Sequence, residues 1–100
     1  MLLKPGVFIK NIRPQTTHGM MVAELIHRQL FGRDITITSI SDGKHATNSL
    51  HYKGLAFDCR TRNLSAADAR MFASALETAL GSDYDVVLEE SHCHVEYDPK

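Results

Sequence analysis

The chain has no tryptophan, three prolines, two cysteines and no apolar run near the roughly 20 residues of a helical membrane span. The missing run excludes a spanning helix. Cys59 and Cys93 are too few for a disulfide scaffold and read as free core thiols. An excess of one charge is also lacking. Lys+Arg is 11 against Asp+Glu 12, a net charge of −1, and this excludes nucleic-acid binding by bulk phosphate neutralisation. The N-terminus, MLLKPGVFIKNIRP, is broken by Lys4, Pro5 and Lys10 and has no continuous apolar core, so no signal peptide is expected. The expected place of synthesis is the cytoplasm. What is present is ordinary globular composition, 43% hydrophobic and 23% charged, at a length of 100 residues. That predicts one domain, residues 1–100, and a monomer by default. Less ordinary are the six histidines.

The apolar pattern gives the order β-α-β-loop-β-α-β-β. Val7–Ile12 reads as a short strand. From Thr16 to Phe31, Val22, Leu25, Ile26 and Leu30 fall at helical spacing, with Thr16 or Thr17 as cap and Gly32 as stop. Met20 and Met21 are expected in the core and His27 on the helix surface. Asp34–Ile40 alternates isoleucine with threonine, as a half-buried strand does. Residues 41–49 are polar and form a loop by composition. Gly54–Arg60 can be the next strand. Ser65 with Asp68 marks a second helix start, Phe72, Leu76, Ala79 and Leu80 its apolar face, and Gly81 its end. Asp85–Glu89 and His92–Tyr97 close the chain as two strands around a turn. The expected class is α+β, a small antiparallel sheet with two helices on one face.

His92 and His94 stand two apart in a strand and therefore share a face. Glu96 is on that face too, with solvent exposure as its default and an outer partner of the histidines as its alternative. His51 and Asp58 lie seven apart, at the end of the polar loop and in the strand after it. Three of the set His51, Asp58, His92 and His94 can bind one Zn²⁺ at about 2.0–2.2 Å, and N/N/O donors without thiolates suit a catalytic site. Glu89 and Glu90, just before the histidine pair, are candidate general bases. Cys59 and Cys93 each neighbour a candidate ligand along a strand and so face away from it.

The segment Ser49–Asp58 reads S-x-H-x-x-G-x-A-x-D, and His92-Cys93-His94 supplies a later H-x-H. The combination resembles peptidase family M15, the zinc D-Ala-D-Ala carboxypeptidases and phage endolysins, whose zinc fold is hedgehog-like. The resemblance implies that His51, Asp58 and His94 are the metal ligands and that His92 steadies negative charge on the carbonyl oxygen under attack. It implies small packing positions at Gly54 and Ala56 and a loop-ordering hydrogen bonder at Ser49. The implied activity is zinc-dependent hydrolysis of a peptide bond in peptidoglycan stem peptides. A cytoplasmic product would reach that substrate by release or inside a phage particle. The family's acid three residues before the last ligand is replaced here by Ser91. Glu89, at E-x-x-H spacing, is the favoured base, with Glu90 second. The family's arginine for the substrate carboxylate is also missing, leaving Lys44 or Arg60 for that task. The alternative is a zinc-containing binding domain with little or no turnover.

Overall fold

The computed structural model describes residues 1–40 and 53–99. Along the chain come β1 (Leu2–Leu3), α1 (Pro14–Phe31), β2 (Thr36–Ser39), β3 (Ala56–Arg60), α2 (Ala66–Leu80), β4 (Tyr84–Leu88) and β5 (His92–Tyr97). The sheet order is β1-β2-β3-β5-β4. All neighbours are antiparallel except β1 and β2. The α+β class and element order agree with the sequence pattern.

Several local expectations fail. The first strand is Leu2–Leu3, where the main chain pairs with β2. Val7–Ile12 is not a strand: Gly6 and Asn11 take positive φ of 91° and 58°, which turns the chain at both ends of the segment. The second failure is part of the buried face of α1: Val22 and Ile26 pack against the core as expected, but Leu25 does not. Thr16, Gly19, Met20, Ala23, Glu24 and His27 are buried, whereas Leu25 and Met21 are 61% and 54% exposed. Small residues decide this. A Cβ on Gly19 would lie 3.1 Å from the Phe57 ring, so the helix approaches the sheet closely only along that line.

His27 is correspondingly a core residue. Its Nδ1 lies 2.7 Å from the Arg33 carbonyl oxygen, and its ring meets Phe31 and Phe72 edge-on. Glu24 is buried because its charge is met: the Met1 amine lies 2.9 Å from Oε2 and Arg28 Nε 2.8 Å from Oε1. Burial opposes its ionisation, but those bonds and the Ile35 N–H outweigh it and hold the carboxyl below its usual value.

The helix ends follow ordinary chemistry. Ser65 accepts from Asp68 N–H at 3.0 Å. Gly32, at φ 68°, closes α1 in the left-handed conformation. At its start α1 uses Pro14, with Arg13 as N-cap and no side-chain cap. The Thr16 hydroxyl, expected to cap, instead donates to Gly54 O at 2.6 Å, and Arg13 N–H donates to the same oxygen at 3.1 Å. This clamp fixes the approach to β3.

The core lies between the helices and one sheet face. Ile37, Phe57, Cys59, Cys93 and Val95 from the sheet meet Met20, Ala23, Phe72 and Leu76 from the helices. Each fully buried large side chain contributes about 1.5–3 kcal/mol. Alternation along β3 and β5 therefore turns Asp58, His92, His94 and Glu96 to the opposite face.

Gly54 is buried at φ 71°, and a Cβ there would overlap the backbone oxygen of Asn11. Gly32 has similar φ and open space. Gly54→Ala is expected to cost at least about 3 kcal/mol, and Gly32→Ala about 1 kcal/mol. Urea unfolding midpoints check this; equal losses would remove the Asn11 contact from the account.

Candidate metal centre

The ladder between β3 and β5 sets the site. Thr61 N–H donates to Ser91 O at 3.1 Å and Tyr97 N–H to Leu55 O at 2.9 Å. Counting from these bonded pairs, Cys59/Cys93 and Phe57/Val95 exchange backbone hydrogen bonds, and Asp58/His94 do not. In antiparallel sheets the non-bonded pairs carry their Cβ atoms closest together. Asp58 and His94 thus face each other at the register where side chains meet most readily. The register between β2 and β3 also shifts between Ile37 and Ser39, which puts Ser39 opposite Asp58.

His94 Nδ1 lies 2.9 Å from Asp58 Oδ1, and its Nε2 lies 2.7 Å from Glu96 Oε1. Asp58 is 8% exposed. Both ring nitrogens therefore meet acceptors, and the ring carries both protons when nothing else binds it. The hydrogen bond to Asp58 outweighs the opposing effect of burial, and Glu96 adds to it, so His94 is pushed up from 6.5 to about 9. His92 sits beside the pair. Its Nε2 is 3.9 Å from Asp58 Oδ2, beyond hydrogen-bond reach, while its Nδ1 is 3.3 Å from Ser91 Oγ.

Asp58 and His94 offer one carboxylate oxygen and one imidazole nitrogen, donor types that a divalent transition metal accepts, and supply two of the three protein ligands such a site needs. Two tetrahedral zinc ligands stand about 3.3 Å apart, and the Asp58–His94 atoms are within a few tenths of that. A ring bound through Nδ1 would keep its Nε2–H on Glu96, the carboxylate–histidine arrangement that orients metal-bound imidazoles. Sequence reasoning placed Glu96 on the right face, with solvent as its default and support of the histidines as its alternative; the structure shows the second. The signal was the i, i+2, i+4 run His92, His94, Glu96.

The other candidates separate. Glu89 stands opposite His92 across the β4–β5 turn, its N–H donating to His92 O at 2.8 Å. Glu89 and Glu90 are exposed and border an open cleft with Arg62 and Arg70. No side-chain contact joins either glutamate to Asp58 or His94. Arg60 is half-buried opposite His92, two pairs along the ladder from Asp58 and on the same face. His51, Lys44 and Ser49 lie outside the described residues. Cys59 and Cys93 are free, buried and on the core face, as expected. The hydrogen bond with Cys93, then burial, pushes the Cys59 thiol well up.

Among the described residues, the group that brings three ligand atoms within 4.8 Å of one another is Asp85, Glu96 and Asp98; Asp58 and His94 pair without a third described ligand. Exposed carboxylates often take that spacing without a metal ion. No protein-family model matches the chain, and no curated protein aligns with it significantly. Among the described residues, no helix is long and apolar enough to cross a membrane.

Because the His94 value in the folded protein lies above 6.5, its stabilising charge is fully present below pH 6.5 and is lost as pH rises through about 9. Metal-free protein is expected to lose urea resistance across that window, and His94→Gln to lose the dependence. Unfolding midpoints with a parallel NMR titration of the histidines check this; a wild-type midpoint flat from pH 6 to 10 would contradict the assignment.

Proposed function

We propose that the protein is a zinc-dependent peptidase that hydrolyses a peptide bond in peptidoglycan stem peptides. The observation that carries the reading is the Asp58–His94 pair at 2.9 Å with Glu96 on the far ring nitrogen. It supports the ligand roles that the S-x-H-x-x-G-x-A-x-D and H-x-H motifs imply. Asp58 and His94, with His51, would hold the zinc ion. When bound, zinc supplies Lewis acidity and brings the pKa of its water from 15.7 to about 7.

The chain's own residues do the rest. Glu96 fixes the His94 ring by accepting its Nε2–H. Glu89 takes a proton from the attacking water and returns it to the leaving amine, with Glu90 as its alternative. His92, with Ser91 beside Nδ1, donates a hydrogen bond to the carbonyl oxygen as negative charge develops there. Arg60 or Lys44 meets the substrate carboxylate. The substrate peptide is the only partner this chemistry requires.

A second reading is a zinc-containing binding domain with little turnover. Ser91 in place of an acid, and exposed glutamates out of contact with the pair, favour it. One experiment separates the two. Untagged protein is assayed for zinc and incubated with purified peptidoglycan, with and without a chelator. The peptidase reading expects about one zinc per chain and chelator-sensitive release of amino groups. Asp58→Asn and His94→Gln are expected to lose both metal and cleavage. Glu89→Gln is expected to keep zinc and lose cleavage by about 10²–10⁴-fold. Zinc without cleavage selects the binding domain, and no zinc after reconstitution rejects both.

A further inference from the structure

We propose that the free edge of β4 and the groove beside it take an extended, cationic peptide segment, added to the sheet as a sixth strand. Among the described residues, β4 pairs only with β5 and ends the sheet. Glu89 N–H bonds His92 O and Asp98 N–H bonds Asp83 O, each at 2.8 Å. Counting between these pairs, Asp85 and Val87 spend their backbone groups on β5. Tyr84, Val86 and Leu88 therefore direct theirs outward. Tyr84 N–H is taken by Gly81 O at 3.3 Å. The N–H and C=O of Val86 and Leu88 have no partner among the described residues.

Asp85 is the one charge in the strand, and it disfavours an acidic partner rather than a cationic one. Tyr84–Leu88 reads YDVVL, without proline, lysine or bulge, the devices that usually blunt an edge. An open cavity of about 680 Å³ runs beside it, bounded by β4 and the C-terminal end of α2. It gives room for a chain about 4.8 Å from β4. Its walls choose the occupant. Glu77, Asp85 and Glu96 line it, and no Lys, Arg or His among the described residues does. Two copies pairing edge to edge would set acidic walls against each other, whereas a peptide with alternate lysine-like side chains puts amines beside carboxylates. Backbone pairing supplies adhesion and the acidic wall supplies selectivity, as in other strand-addition complexes. Glu96 also holds His94, so the groove opens at the edge of the candidate metal centre. The proposal needs neither zinc nor turnover, and a binding measurement tests it separately from the peptidase reading.

The probe is a short blocked peptide alternating valine and lysine. Its counterparts are the same peptide with glutamate for lysine, and the lysine peptide N-methylated at alternate bonds. Amide NMR on the full chain is expected to show shifts and slowed hydrogen exchange at Val86 and Leu88. The N-methylated peptide is expected to bind about tenfold more weakly, having lost strand hydrogen bonds. Glu77→Gln with Asp85→Asn is expected to weaken the lysine peptide about threefold to tenfold. Should that variant misfold, salt titration of the wild type gives the same reading, since screening weakens the contact. Equal binding of the lysine and glutamate peptides, equal binding after N-methylation, or shifts on the α1–α2 surface would each overturn the proposal. Concentration-dependent protection of Val86 and Leu88 without peptide would assign the edge to a second copy and overturn it too.

Discussion

The backbone ladder between β3 and β5 governs both faces of this sheet. One set of alternating pairs, Cys59/Cys93 and Phe57/Val95, exchanges hydrogen bonds and turns its side chains into the core. The intervening pairs, Asp58/His94 and Arg60/His92, turn outward. A slip of β5 by one residue would bury His92 and His94 and expose Cys93 and Val95; a slip of β3 would bury Asp58 and expose Phe57 and Cys59. The apolar face therefore enforces the register, and the polar face inherits it. No separate contact is needed to bring Asp58 opposite His94; burial of four apolar side chains behind them does so.

That division of labour explains what the sequence made legible. Alternation in His92–Tyr97 and Gly54–Arg60 separates core residues from site residues by parity alone, so Cys59 and Cys93 could be assigned to the core and Asp58, His92 and His94 to one face. Helix ends at Gly32, Ser65 and Gly81 were equally readable, because each rests on the chemistry of one or two neighbouring residues. The α1 face was readable only in part: Val22 and Ile26 of its apolar stripe pack against the core. Leu25 and Leu30 of the same stripe are exposed, because contact with Phe57 demands a small residue and Gly19 supplies it. Hydrophobic periodicity weighs side chains by how much they would gain from burial, and here clearance decided instead.

His27 and Thr16 show the other way in which local reading falls short. Each takes a partner fixed by tertiary structure: His27 through the Arg33 carbonyl and two aromatic rings, Thr16 through Gly54, 38 residues away. No pattern within a window reports such a partner. Glu96 is intermediate. Its face was evident from alternation, but its grip on His94 required knowing how far the strand twist carries one side chain toward the next.

β5, last of the strands along the chain, sits inside the sheet between β3 and β4 and contributes both His92 and His94. During folding, its insertion is the long-range step. Until β5 docks, Asp58 faces empty space and β4 has no neighbour on which to align. Non-local closure of this kind is slow compared with helix formation. The two helices and the β1–β2 pair can form on the way, but the imidazole–carboxylate cluster has no partly built precursor. Competence of the site is therefore all-or-none with completion of the sheet, and a chain halted before its last strand would carry none of it.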